Sequence, residues 1–136
     1  MPDSDQNNAP LCVIGEPDPF LARLLQRYAE KSGLQVRIAR TGEDLLELAL
    51  HSTALLIILD PELPGKVRGW ETVSRLRADS QTPILLCSWL KKPEALALVG
   101  EPLPYLQKPE LSYEDFLEAL KACAVRLPDR PNSSSL

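Results

Sequence analysis

The apolar residues of this chain come in short unbroken runs separated by amphipathic stretches, and that alternation constrains the fold more than any other feature. "LCVIG" (11–15), "ALLIIL" (54–59) and "PILLCS" (83–88) are continuous, "LQVRIAR" (34–40) alternates like a half-buried strand, and "PYLQ" (104–107) is a short fifth candidate. Continuous runs of this length suit strands covered on both faces, as in a parallel sheet between helical layers. Helical periods fill the gaps. Residues 19–32 place Phe20, Leu21, Leu24, Leu25 and Tyr28 at helical spacing, with Asp18 as the cap, Pro19 in the first turn and Gly33 as the stop. Residues 41–52 open with Thr41 and Asp44, a capping-box spacing with Asp in place of Glu. Helices over 69–79 and 91–100 are shorter. The last, 111–127, starts at Ser112 and is expected to bury Phe116, Leu117, Leu120 and Ala124. Strand then helix, five times over, predicts an α/β fold with a parallel sheet.

A chain of 136 residues is expected to form one domain, here 11–126, between a disordered N-terminus (1–10) and a disordered tail or linker start (127–136). Hydrophobic residues make up 44% and charged residues 25%, an ordinary globular balance. The net charge of −4 argues against a nucleic-acid surface spread over the whole protein. No apolar run approaches the roughly 20 residues that span a bilayer, and "MPDSDQNNAP" lacks the basic flank and apolar centre of a secretion signal. A cytoplasmic location is expected. Cys12 and Cys87 sit in strand-like runs and Cys123 in a helical one, which predicts free thiols rather than a disulfide framework. No pair has C-x-x-C spacing, and His51 is the only histidine, so a zinc site is not expected.

In such a sheet, ligands and chemistry collect beyond the carboxyl ends of the strands. Asp60 ends the third run, and Pro61, Glu62, Leu63, Pro64 and Gly65 break the strand at once. Glu16 and Asp18 follow the first strand, Ser88 ends the fourth, and Lys108 with Pro109 follows the fifth. Each has a plain reading taken singly: an Asx turn for Asp60, a helix cap for Ser88, a solvated cation for Lys108, a surface acid for Glu16. Together they place acids, a hydroxyl and an ammonium on one edge.

With these residues in view, the chain resembles the receiver domain of two-component response regulators, of the chemotaxis-regulator kind. "LLIILDPELPGKVRGWETVSRLR" is similar to the receiver segment in which an apolar strand ends in the phospho-accepting Asp. Asp60, Leu63, Pro64, Gly69, Glu71, Leu76 and Arg77 supply its pattern, with one extra residue around Lys66–Val67. "TPILLCSW" resembles the strand that ends in the switch hydroxyl, here Ser88, and "LPYLQKP" the Lys-Pro segment with its aromatic Tyr105. The resemblance implies a flavodoxin-like (βα)5 three-layer sandwich with strand order 2-1-3-4-5. It implies Asp60 as phosphoacceptor, Ser88, Lys108 and Tyr105 as the groups that read the phosphoryl group, and Mg2+ held at Glu16, Asp60 and Glu62 by acids and a backbone carbonyl. It also implies a histidine kinase or phosphotransfer protein as donor and a downstream protein partner on the face of helix four, strand five and helix five. That face is also a possible homodimer surface.

Two positions depart from the pattern. The family's first strand ends in two consecutive acids, and the second falls on Pro17, so Mg2+ is expected to bind poorly unless Asp18 substitutes. Trp89 stands where a small residue usually leaves an entrance to the aspartate, so its indole either covers the pocket or packs outward. Two readings follow: a working phospho-accepting receiver, or a degenerate receiver acting as a phosphorylation-independent binding module. A flavin carrier of similar topology is disfavoured, because "GEPDP" offers acids and prolines where a phosphate wants N–H donors. No DNA-binding or catalytic segment follows residue 127 in this sequence, so output is expected through protein contact or a domain outside it.

Overall fold

A computed structural model describes residues 9–127. The expectations of disorder for residues 1–8 and 128–136 lie outside the described residues. The order is β1 (Leu11–Gly15), α1 (Pro19–Lys31), β2 (Gln35–Ala39), α2 (Gly42–Leu50), β3 (Ala54–Leu59), α3 (Gly69–Asp79), β4 (Ile84–Ser88), α4 (Lys92–Val99), β5 (Tyr105–Gln107) and α5 (Tyr113–Ala122). The five strands form one sheet in the order β2-β1-β3-β4-β5, every neighbouring pair parallel. This is the α/β fold with a parallel sheet that the alternation predicted, in the flavodoxin-like (βα)5 arrangement that the resemblance implied.

The period of two along each strand divides the core into two layers. Cys12, Ile14, Leu56, Ile58, Leu85 and Cys87 face α1 and α5, where Leu25, Ala29, Phe116 and Leu120 meet them. Val13, Ile57, Leu59, Ile84 and Leu86 face the opposite way, onto Leu45 and Leu46 of α2, Val73 and Leu76 of α3 and Ala95 of α4. The three cysteines are free, with Cys12 and Cys87 buried. Burial pushes the Cys87 thiol up to about 12 and the Cys123 thiol up to about 11.

The expected caps are present. The Asp18 carboxylate accepts from the N–H groups of Phe20 and Leu21, Thr41 accepts from Asp44, and Ser112 accepts from Asp115. Only one of the two bonds of a capping box forms at Thr41, because Asp44 is one methylene shorter than the usual Glu. Phe20 does not join the core: it is 76% exposed, and Ala22 and Ala29 share the buried face of α1 with Leu21 and Leu25 instead. α5 also ends earlier than expected. Leu117 is half-buried, Ala119 is buried in its stead, and Ala124 is exposed beyond the helix.

The reason is a Schellman closure, in which Val125 N–H donates to Leu120 O (3.2 Å) and Ala124 N–H to Lys121 O (3.0 Å). α1 closes in the same way, with Leu34 N–H on Ala29 O and Gly33 N–H on Glu30 O. The left-handed residue is Gly33 at φ 93° in α1 but Ala124 at φ 59° in α5. An alanine there carries a steric cost that glycine avoids. Ala124→Gly is therefore expected to stabilise the fold by about 0.5–1 kcal/mol after allowing for the greater freedom of glycine in the unfolded chain. Urea unfolding of the two proteins checks this.

Candidate functional site at the carboxyl edge of the sheet

Parallel pairing brings Gly15 level with Ala39 and Leu59, Leu59 level with Leu86, and Ser88 level with Gln107. The strand ends therefore form one edge, and the ladder continues a step beyond it. Glu16 N–H donates to Ala39 O (3.1 Å), Asp60 N–H to Gly15 O (3.0 Å) and Lys108 N–H to Ser88 O (2.8 Å). Three of the expected site residues are thus held by backbone bonds in the plane of the sheet before any side chain acts.

Their side chains converge. Lys108 Nζ lies 2.6 Å from Asp60 Oδ2 and 2.8 Å from Glu16 Oε1, and all three side chains are buried, Asp60 being the most accessible at 4%. The bond to Asp60 has full hydrogen-bond geometry; Glu16 Oε1 faces the ammonium as an ion pair without an aligned donor. Asp60 Oδ1 accepts from Glu62 N–H (2.7 Å), and Glu16 Oε2 accepts from Asp18 N–H (3.1 Å). Asp60 thus makes both the Asx-type turn of its plain reading and the ion pair of its functional one.

The electrostatics follow from burial. Removal from water pushes the Glu16 carboxyl up from its ordinary value, and the bond and charge of Lys108 only partly oppose this. For Lys108, burial acts downward, but the bonds and charges of Asp60 and Glu16 outweigh it and the ammonium is held above its ordinary value. Lys108 is consequently a fixed positive charge beside the Asp60 carboxylate.

The loop after Asp60 is shaped to present it. Leu63 N–H returns to Asp60 O (3.0 Å) and Leu63 is fully buried. A Cβ on Gly69 would run into the carbonyl oxygens of Asp60 and Pro61, so α3 starts directly against the acceptor turn. The extra length around Lys66–Val67 is tied down by Glu43, whose Oε1 accepts from Lys66 N–H (2.9 Å) and Val67 N–H (3.4 Å). Glu43 was not singled out in the sequence; its position in the first turn of α2 was the available signal.

At the β4 end, Ser88 is fully buried and its Oγ accepts from Leu90 N–H (3.0 Å). The Tyr105 hydroxyl donates to Leu90 O and to Ser88 O (3.3 Å), so it lies against the β4–α4 loop. Gln107, another residue not singled out, donates from Nε2 to Trp89 O (2.9 Å) and Ser88 O (3.3 Å). Trp89 is 55% exposed, yet its ring centroid is 5.9 Å from Lys108 Nζ, within cation–π reach. The indole thus flanks the pocket and remains open to solvent. The Lys108–Pro109 bond is cis.

The set proposed for Mg2+, Glu16, Asp60 and Glu62, does not come together through its side chains. Glu62 is exposed and contributes its N–H to Asp60. Pro17 offers no side-chain oxygen, and Asp18 Oδ1 is engaged in capping α1. Among the described residues no group of three or more His, Cys, Asp or Glu side chains is placed to hold a metal ion. The carboxylates present do not by themselves fit the ion, because Lys108 sits between the two acids that remain.

The chain has clear relatives in sequence and fold. Over 75 residues, 54% of this chain and 32% of the relative, the chain is 40% identical to the uncharacterized transcriptional regulatory protein YkoG of Bacillus subtilis (strain 168). Over 74 residues, 54% of this chain and 30% of the relative, it is 31% identical to the transcriptional regulatory protein SrrA of Staphylococcus aureus (strain NCTC 8325 / PS 47). The match therefore spans about a third of the length of these curated relatives. Among solved structures, Vibrio cholerae chemotaxis protein CheY4 superposes with a TM-score of 0.73 at 24% identity, over 85% of this chain and 98% of that one. The BeF3-activated N-terminal receiver domain of Klebsiella pneumoniae RstA gives 0.72 at 26%, over 85% and 99%. The model of the response regulator receiver domain matches residues 12–121, from the first strand into the last helix, and this chain belongs to that family.

Proposed function

We propose that this chain is a phospho-accepting receiver, taking a phosphoryl group on Asp60 from a histidine kinase or phosphotransfer protein in the cytoplasm and passing the change to a protein partner. The observation that carries the reading is the buried Asp60 carboxylate with the Lys108 ammonium 2.6 Å from Oδ2. An Asp60 oxygen attacks phosphorus in line, the bond to the donor's nitrogen or oxygen breaks, and the leaving group keeps the electron pair. The protein's work is positioning and charge compensation. Lys108 moves from the carboxylate to a phosphoryl oxygen without a proton changing hands. The Ser88 hydroxyl, now an acceptor from Leu90 N–H, turns to donate to a second phosphoryl oxygen. Because Tyr105 holds the carbonyls of Ser88 and Leu90, that movement is felt at β5 and along the face formed with α4 and α5. One added group thereby biases a two-state surface. Neither nucleic acid nor a membrane is needed as partner; among the described residues no helix is long and apolar enough to cross a membrane.

A second reading, a binding module that accepts no phosphoryl group, is favoured by Pro17 and by the clamp of Glu16 and Asp60 on Lys108. The two part on one experiment. Incubation with an acyl phosphate, with and without Mg2+, is expected to give an acid-labile gain of one phosphoryl group in intact mass, and Asp60→Asn to gain none. Labelling retained in Asp60→Asn defeats the acceptor assignment, and no labelling of the wild type under either condition leaves the binding module.

A further inference from the structure

The acidic pocket of this chain has its own cation. We infer that the pocket holds no divalent ion and is neutralised by the Lys108 ammonium, which occupies the space between the two remaining acids. This concerns binding alone and stands apart from whether Asp60 is phosphorylated.

A hard divalent ion takes six or more oxygen ligands and is held to a protein through carboxylates, carbonyls and retained waters. Here only Glu16 and Asp60 offer buried carboxylates, and both meet the ammonium, at 2.8 and 2.6 Å. Their other oxygens are taken by backbone donors, Asp18 N–H on Glu16 and Glu62 N–H on Asp60. The position that would add a third acid is Pro17, and the next acid, Asp18, is spent on the first turn of α1. On the remaining side, the Trp89 ring stands 5.9 Å from the ammonium.

Charge reinforces the geometry. Three acids would balance one lysine and one divalent ion, whereas two acids with both cations leave a surplus positive charge in a buried space. Buried charge of that kind is disfavoured unless it is paired. With Lys108 alone, every charged group in the cluster has an opposite charge within 2.8 Å.

Mn2+ shares the oxygen-donor preference of Mg2+, and its free ion is read directly by electron paramagnetic resonance. The probe is a Mn2+ titration of the full chain as wild type, Asp60→Asn, Pro17→Asp and Lys108→Met. The wild type is expected to bind no more Mn2+ than Asp60→Asn does, up to millimolar ion. Pro17→Asp restores a third acid and is expected to tighten binding by at least about tenfold, the scale on which metal-site groups act. Lys108→Met releases both carboxylates and should gain an ion too, which keeps the test decisive if Pro17→Asp fails to fold. One Mn2+ per wild-type chain, lost in Asp60→Asn, overturns the inference. So does the absence of any gain in both other variants, since Lys108 would then not be what fills the space.

Discussion

Lys108→Ala is expected to lower stability by about 3–5 kcal/mol at neutral pH, the cost of leaving buried carboxylates without their counter-ion. Glu16 and Asp60 are almost wholly buried, and Lys108 is the cation that faces both. Against a typical domain stability of about 5–15 kcal/mol, the variant should still fold but unfold at much lower urea. The pH dependence has a definite sign. The Lys108 pKa is raised by its partners, so its contribution is fully present below its ordinary 10.5 and is lost as pH rises through its folded value above that. In Lys108→Ala nothing from Lys108 opposes the upward push of burial on the Glu16 carboxyl, so acidification should narrow the gap to wild type by neutralising that acid. Urea midpoints from pH 4 to 11 read both effects; a variant as stable as wild type at pH 7 would mean that solvent reaches the pocket freely.

Phe116→Ala should be about as costly, at roughly 3–5 kcal/mol, for a different reason. Phe116 is fully buried on α5, with the rings of Tyr28 and Tyr113 at 5.7 and 6.4 Å. It joins β1, β3 and β4 to the α1–α5 layer, so its removal leaves a cavity at the centre of that layer. The loss is in packing, so the variant should remain equally destabilised across pH where Lys108→Ala does not. The two variants separate the hydrophobic layer from the charged edge.

Much of this was legible in the residue pattern, for physical reasons. An unbroken apolar run such as Leu55–Leu59 has few homes other than a strand covered on both faces, and an acid at its end must emerge at the sheet edge. Parallel strands then bring Asp60, Ser88 and Lys108 to one edge whatever the helices do. What escaped depends on contacts the chain makes only once folded. Phe20 shares a helical period with Leu24 and Tyr28, but a period states which residues share a face and not whether a layer extends beneath the first turn. Ala124 was counted in the last helix because nothing local to alanine forecasts a left-handed closure. Gln107 reads as a strand residue; its bonds to Ser88 O and Trp89 O follow from the path of the β4–α4 loop. The contact of Lys108 with both acids, and the outward turn of the Glu62 side chain, are matters of placement that spacing does not state.

The account rests on Asp60 as the atom that takes the phosphoryl group, and one measurement addresses that atom. An acyl phosphate on a carboxylate is reduced by borohydride to an alcohol, so an aspartyl phosphate leaves homoserine in its place. The full chain, labelled with a small acyl phosphate, reduced and mapped by peptide mass, is predicted to carry homoserine at position 60 and at no other acid. Reduction at Asp18 would also leave homoserine, told apart by its position, whereas Glu16 or Glu62 would give an alcohol one methylene longer, told apart by mass as well. Reduction at any acid but Asp60, or at none, would contradict the account.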